Sequence, residues 1–532
     1  MDPVAPLPTR RAELLARLAE LRTWDLAVVG GGATGLGVAL DAAARGYSVL
    51  LLESHDFAGG TSSRSTKLLH GGVRYLAQGN LSLVREALHE RSTVLRNAPH
   101  LASKLSFVMP SYACWQAPFY GIGLKLYDLL AGRAGLGATR LLSRAQALAA
   151  LPNLRSAGLC GGVQYWDAQF DDARLAIALA RTAAREGALL LNYCEVTALL
   201  HEDGRVAGLR CRDAMSGQAH EVRARCVVNA TGVWVDGLRQ LDGAALGQAA
   251  RPVVAPSQGV HVVVDRSFLP GGHALLVPHT ADGRVLFAVP WRGKLVLGTT
   301  DTPRSDLPRE PRPLRAELDF ILGEAGRYLA RAPTPADVLS IWVGLRPLVR
   351  PDDGHDTATR QLSREHAVLV SPSGLVSVTG GKWTTYRTMA EDVLAHCRRA
   401  GLLPAGRSGV SAGLRLVGGG STAAATLQGA PDLFIYGSEA QAVTALPGAG
   451  RELAPGLSEA MVRFAARYEY ALTVEDVLAR RSRLLFLDAA LAMELAPTVA
   501  GILGEETGLD PNLDGFLALA QDYLRWPAAQ GA

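Results

Sequence analysis

The apolar positions change period twice between Asp25 and Glu53, and the change outlines a strand–helix–strand unit. Leu26 to Val29 is an unbroken apolar run with the length of one strand buried on both faces. The residues after it predict a helix running to about Ala44 and ended by Gly46, and Ser48 to Leu52 is a second apolar run. Gly30, Gly32 and Gly35 stand at the first junction in G-x-G-x-x-G spacing. In such a junction the first glycine makes the turn, the second lets the backbone approach a pyrophosphate, and the third lets helix pack on strand. The start of the helix offers unpaired N–H groups and partial positive charge to phosphate. Glu53, at the tip of the second strand, can accept hydrogen bonds from ribose hydroxyls and would repel a 2′-phosphate. The unit predicts a dinucleotide site and leaves NAD and FAD both open.

The same reading predicts the rest of the chain. Residues 10–22 form a short helix with Leu14, Leu15, Leu18 and Leu21 on one face, and residues 81–98 form a longer one. Residues 107–145 are rich in aromatic and basic side chains, from Phe107 and Trp115 to Arg140 and Arg144. That composition fits an amphipathic membrane-surface element or buried aromatics with surface arginines. Residues 171–186 form a helix, 205–223 alternate like a small antiparallel sheet, and 225–229 are a strand ending in Asn229-Ala-Thr-Gly232. Four short apolar runs between 259 and 300, separated by Gly, Pro and Asp, predict a mostly antiparallel sheet domain over 251–350. Gly380-Gly-Lys382 turns into a helix over 384–398, Gly418–Ser421 is a linker, and 438–525 are helical, with Thr473 and Asp476 as a capping box. The expected division is an N-terminal helical extension (1–24), a cofactor domain in three parts (25–110, 166–250, 351–400), an insertion on the membrane or substrate side (111–165), a substrate domain (251–350) and a helical domain (401–532).

Composition narrows the classes. A net charge of +4 with no block of like charges gives no reason to expect nucleic acid. Six cysteines without a C-x-x-C pair suit a reducing compartment and argue against disulfides or zinc, and no metal site is evident. The first nine residues lack a signal-peptide pattern. Trp115 to Leu130 comes nearest to a membrane span but carries Lys125 and Asp128. The expected location is cytoplasmic, peripheral on the cytoplasmic face of the cell membrane.

Residues 56–76 concentrate chemistry. Thr61, Ser62 and Ser63 could donate to phosphate oxygens, and Gly71 and Gly72 allow backbone to lie against a flat ring. Lys67, His70, Arg74 and Tyr75 are dense for a plain loop. Here the chain resembles the FAD-dependent glycerol-3-phosphate dehydrogenases, whose pattern T-S-S-x-S-(S/T)-K-L-x-H-G-G-x-R-Y-L follows the dinucleotide unit. The resemblance continues through Asp171-Asp172-Ala-Arg174-Leu, Asn229-Ala-Thr-Gly232, Gly298-Thr-Thr-Asp301, Gly344-Leu-Arg-Pro-Leu348, Gly380-Gly-Lys-Trp-Thr-Thr-Tyr-Arg387 and residues 473–488.

The resemblance implies a fold. Its parts are an α/β FAD-binding domain of the glutathione-reductase-like Rossmann type, an antiparallel β-sheet substrate domain and a C-terminal α-helical domain. It also implies a reaction: sn-glycerol 3-phosphate is oxidised to dihydroxyacetone phosphate by hydride transfer to FAD. Electrons then pass to a membrane quinone, with peripheral membrane contact and a possible homodimer. Val196, Ala230, Thr231, Gly232, Gly344, Gly381, Lys382 and Thr384 would join Gly30, Gly32, Gly35, Glu53, Thr61, Ser62, Ser63, Lys67, His70 and Gly71 around FAD. A phosphorylated polyol needs a cationic grip, for which Arg74, Arg346 and Lys382 are the candidates, with Tyr75 and Thr385 as hydrogen-bond partners. His70 and His261 are the candidate bases beside the catalytic Arg346. Gln258 departs from the family, which often has Lys before the Gly-x-His of this strand. The alternatives are an oxidase that returns electrons to oxygen, an amino-acid-oxidase-type flavoenzyme, and a non-catalytic flavin-binding interaction protein.

Overall fold

The computed structural model describes residues 5–72, 76, 80–280, 283–350, 365–407, 409–420 and 426–528. Strand Thr23–Val29 lies inside a sheet whose order is His366–Val370, Val376–Gly380, Ala219–Asn229, Thr23–Val29, Val49–Leu52, Leu189–Leu191. Every neighbouring pair on this path is parallel except the first. Leu26, Ala27 and Val28 are fully buried, as are Val49, Leu50 and Leu51, so both faces are covered and the apolar runs are continuous. Helix Ala33–Ala44 packs against helices Asp172–Arg185 and Tyr386–Arg399. Its small residues permit this: a Cβ added at Gly37 would meet the Tyr386 ring at 2.9 Å. A hairpin of Cys194–Glu202 and Arg205–Asp213 hangs from the first half of Ala219–Asn229, whose second half pairs with Thr23–Val29.

Among the described residues the second sheet has ten strands, and their pairings are antiparallel except that of His273–Val277 with Ala102–Ser111. It draws on residues 68–170 as well as on 254–349. Ala102–Ser111 and Gly161–Phe170 pair along their whole length, from Ala102 opposite Phe170 to Ser111 opposite Gly161. Leu105, Phe107, Met109, Val163 and Tyr165 from these two strands share a small core. Phe107 therefore belongs to the interior: it is buried and stacks on Tyr165 with ring centroids 5.1 Å apart. Helix Arg315–Tyr328 covers the other side of the sheet through Leu318, Ile321 and Leu322.

Helices Glu459–Tyr468, Ala489–Thr507 and Leu513–Leu524 form the C-terminal part, and a π-helical turn at Asp476–Arg481 faces the cofactor domain. One continuous core runs from the parallel sheet into these helices. The N-terminal helix Arg11–Leu18 buries Leu14 and Leu18, and Arg11 donates to the carbonyls of Asn192 and Tyr193 at 3.0 Å.

Buried ion pairs fix the C-terminal helices in place. Arg174 donates to both oxygens of Glu469 at 2.6 and 2.7 Å, and Arg181 to both of Glu439 at 2.6 and 2.9 Å. Burial alone would raise the Asp56 carboxyl, but Arg481 and Arg480 hold it below the usual range. Removing one partner of such a pair strands the other charge away from water. We expect Glu469→Ala to lower unfolding free energy by about 3–5 kcal/mol in denaturant titrations, with most of the loss recovered when Arg174→Met accompanies Glu469→Leu. A loss below about 1 kcal/mol would show that the pair does not secure the junction.

Candidate active site

The G-x-G-x-x-G junction opens onto a cavity of about 440 Å³. Gly30 has φ +110, and a Cβ there would meet the Ala230 carbonyl oxygen at 2.6 Å. A Cβ at Gly35 would collide with the carbonyl oxygen of Gly30, so helix and strand touch through bare backbone. Gly32 caps helix Ala33–Ala44, and with Ala33 and Thr34 it lines the cavity. The first-turn N–H groups there have no helical carbonyl to bond, which suits phosphate. Ser62 crosses to this point, and its Oγ accepts the Ala33 N–H at 2.9 Å. Glu53 closes one end: its Oε2 accepts the Gly31 N–H at 2.6 Å and its Oε1 the His55 N–H at 2.9 Å. Thr61, Val196, Ala230, Thr231, Gly232, Gly381 and Lys382 complete the wall. Gly232 has φ +63 and open space where a Cβ would stand.

An elongated dinucleotide fits this cradle. Glu53 would hold a ribose, the glycine turn and helix start a pyrophosphate, and the Gly380–Lys382 turn the far end. The sequence reading missed several wall residues. Trp234, Gly237, Leu238 and Leu241 come from helix Val235–Ala245 and the turn before it, and Arg309 reaches over the Trp234 ring at 4.5 Å. The signal was the helical pattern immediately after Asn229-Ala-Thr-Gly232, where the reading stopped.

Other predicted cofactor residues stand behind the wall. Ser63 is buried, and its carbonyl accepts Lys67 Nζ at 2.7 Å and Arg483 Nη2 at 2.6 Å. Lys67 is fully buried and donates to Asp172 Oδ2 at 2.7 Å. The same oxygen accepts the Ser65 N–H at 3.1 Å and the Ser65 hydroxyl at 2.7 Å. Arg483 approaches Asp172 to 3.2 Å. These groups fix the loop that presents Thr61 and Ser62. The Gly71 N–H donates to the Tyr127 hydroxyl at 2.8 Å. Gly344 lies against Arg64, and Thr384 is buried in the turn before helix Tyr386–Arg399.

The predicted substrate residues come from two strands and two turns. Arg346 stands opposite Ser257 on paired strands Val254–Asp265 and Val338–Val349. Its Nη2 donates to Thr299 Oγ1 at 3.1 Å and its Nη1 lies 3.6 Å from Asp301. It extends over Gly259, where a Cβ would collide with it, and remains half-buried. His261 shares that face, stacked on Trp342 with centroids 4.0 Å apart and with Nε2 3.0 Å from Thr66 Oγ1. Burial, then the charges of Lys67 and Arg346, hold its imidazole well below the usual value, so it is neutral. Gln258 points to the opposite side of the strand, where its Nε2 donates to Glu317 Oε2 at 2.6 Å. The departure from Lys therefore falls away from Arg346 and His261. Lys382 lines the cavity, and Thr385 donates to the Lys382 carbonyl at 3.3 Å. His70 follows strand Leu68–Leu69 and is half-buried. Arg74 and Tyr75 lie outside the described residues.

A nucleotide cradle in a parallel sheet, joined to an antiparallel sheet carrying an arginine and a histidine, has the architecture of a dinucleotide-dependent oxidoreductase. The family model described as FAD dependent oxidoreductase matches residues 25–387, and the one described as the C-terminal domain of alpha-glycerophosphate oxidase matches 432–513. The chain is 41% identical over 547 residues to the mitochondrial glycerol-3-phosphate dehydrogenase of Homo sapiens, covering 94% of this chain and 73% of that one. It is 40% identical over 549 residues to the Bos taurus counterpart, covering 95% and 73%. The X-ray structure of the Bacillus halodurans glycerol-3-phosphate dehydrogenase complexed with FAD superposes with TM-score 0.77 at 30% identity, covering 98% of this chain and 99% of that one. The chain belongs to the FAD-dependent glycerol-3-phosphate dehydrogenase family.

Burial lowers the Lys67 ammonium to about 7, against 10.5 for an exposed lysine, even though Asp172 favours its charge. Between those values the unfolded chain binds a proton that the folded chain does not, so this group makes stability rise with pH across that window. Lys67→Met is expected to remove that rise: its stability relative to the parent falls as pH goes from about 7 to about 10 in urea titrations. Parallel pH curves for the two proteins would contradict the placement of Lys67 among buried charges.

Proposed function

We propose that this protein oxidises sn-glycerol 3-phosphate to dihydroxyacetone phosphate with FAD and passes the electrons to a membrane quinone. FAD supplies hydride acceptance when bound. The observation that supports the reading is the placement of two cationic side chains beside the cradle, Arg346 on the strand that ends at the cavity wall and Lys382 in the wall itself. Pro347, next to Arg346, also lines the cavity, and the Gly380 turn packs on Val349 of the same strand. Charge-assisted bonds from both cations to one phosphate would each contribute about 1.5–3 kcal/mol and orient the carbinol carbon. Arg74 would be the third member of the grip, with Tyr75 and Thr385 as polar neighbours. His70 would take the hydroxyl proton. The buried, neutral His261 would hold Thr66 and pack the sheet against the flavin-side loop.

Oxygen as acceptor is a second reading, favoured by the match of residues 432–513 to a glycerophosphate oxidase domain. Product formed with a quinone analogue and little peroxide supports the dehydrogenase; stoichiometric peroxide in its absence supports the oxidase. In the same assay Arg346→Ala should raise KM by roughly ten- to a hundredfold while flavin content is kept, since its charge-assisted contact, worth about 1.5–3 kcal/mol, would be lost. His70→Gln should abolish the acid limb of the kcat/KM profile and His261→Gln should retain it. An acid limb that survives in His70→Gln and vanishes in His261→Gln would exchange the two roles.

Membrane contact belongs to the same proposal. Trp115, Phe119, Ile122, Leu126 and Leu129 form one stripe along helix Gln116–Ala131, each between 42% and 76% exposed. Exposed Lys125 and Arg133 flank it, and Arg85 and Arg96 line a cleft of about 820 Å³ at its C-terminal end. An apolar stripe with a basic border matches an anionic lipid surface. Among the described residues no helix is long and apolar enough to cross a membrane. Trp115→Ser with Phe119→Ser should weaken flotation with anionic vesicles at least tenfold, with flavin content unchanged. Loss of a dimer in solution, with flotation intact, would assign the stripe to a second copy of this chain.

A further inference from the structure

The six cysteines have no paired spacing in sequence, yet the fold brings them together in twos. Cys194 neighbours Cys211 and Cys226 neighbours Cys397, and all four are buried free thiols. Cys114 and Cys160 are exposed, and their Sγ atoms lie 2.6 Å apart. The sheet fixes this approach. Cys114 follows strand Ala102–Ser111, and Cys160 precedes Gly161–Phe170, where Ser111 faces Gly161. The Cys160 N–H also donates to the Ser111 carbonyl at 2.9 Å. Cys160 is therefore carried on backbone paired with Ser111 and Cys114 on the turn that follows the strand, with the sulfurs within about half an ångström of a bond length of about 2.05 Å.

We propose that Cys114 and Cys160 form a thiol–disulfide modification site that takes small-molecule disulfides. One thiolate attacks the small disulfide, forming a mixed disulfide and expelling one thiol. The second cysteine then attacks the protein-bound sulfur, forms the intramolecular bond and expels the second thiol. Two protein thiols are oxidised, one small disulfide is reduced to two thiols, and the protons remain with those thiols. The crosslink closes a ring around residues 115–159, which hold the exposed apolar helix Gln116–Ala131 and strand Arg140–Ser143. Closing that ring reduces the freedom of this segment to open locally.

The test uses the full-length flavin-loaded protein, reduced, desalted and then treated with oxidised glutathione. The reduced protein should show two thiols reactive without denaturant and six with it, matching the two exposed and four buried cysteines. The oxidised protein should show none and four, yield a Cys114–Cys160 crosslinked peptide, and regain two thiols with dithiothreitol. Protease cleavage inside residues 115–159 should slow at least threefold. Cys114→Ser should instead hold one glutathione on Cys160. Two reactive thiols surviving oxidation, two glutathione adducts on the parent protein, or crosslinks between chains would each overturn the proposal.

Discussion

Asp171 and Asp172 are the point at which the parts of this chain are joined. Asp171 starts helix Asp172–Arg185 by accepting the Arg174 N–H at 3.0 Å, and it pairs with Arg292 of the second sheet at 2.6 Å. Asp172 holds Ser65 and Lys67 of the loop that presents Thr61 and Ser62, and receives Arg483 from the C-terminal helices. Burial would raise the Asp171 carboxyl, but Arg292 and Arg483 keep it below the usual range. Charges so deep are tolerable only when their partners stay in place, so loop, sheet and helices must close on the carboxylates together.

That constraint gives the C-terminal helices a part in the site. Arg483 donates to the Ser63 carbonyl and so meets Lys67 on the same oxygen. Lys67 sits 4.5 Å above the Trp342 ring, which also stacks on His261. A displacement of Arg483 would pass through Ser63 to Thr61 and Ser62 at the cradle, and through Lys67 to the strand face that carries Arg346. The C-terminal part is thus a brace on the loop that carries Ser63 and Lys67, in addition to its packing.

The strand–helix–strand unit and Glu53 were legible because one short segment carries all of their determinants: apolar runs, glycine spacing and an acid at a strand tip. The family motifs were legible as motifs, but their chemistry was not. Asp171-Asp172 and residues 473–488 are about 300 positions apart, and only the fold shows that they form one ion cluster. Ser63 and Ser62 are adjacent in one hydroxyl-rich run, yet one faces the cavity and the other is buried. Parity along a strand decided the rest: His261 and Gly259 point one way and Gln258 the other. The cysteine pairs and the strands contributed by residues 68–170 depend on long-range pairing, which composition and local period do not report.

The central claim is that the cradle and the cationic face act on one small phosphorylated alcohol. Anaerobic addition of sn-glycerol 3-phosphate to the purified flavin-loaded protein tests it most directly. Rapid loss of the oxidised-flavin absorbance, with dihydroxyacetone phosphate formed in equal amount and no change on adding glycerol, is the expected result. A flavin that stays oxidised with the phosphorylated alcohol in excess would contradict it.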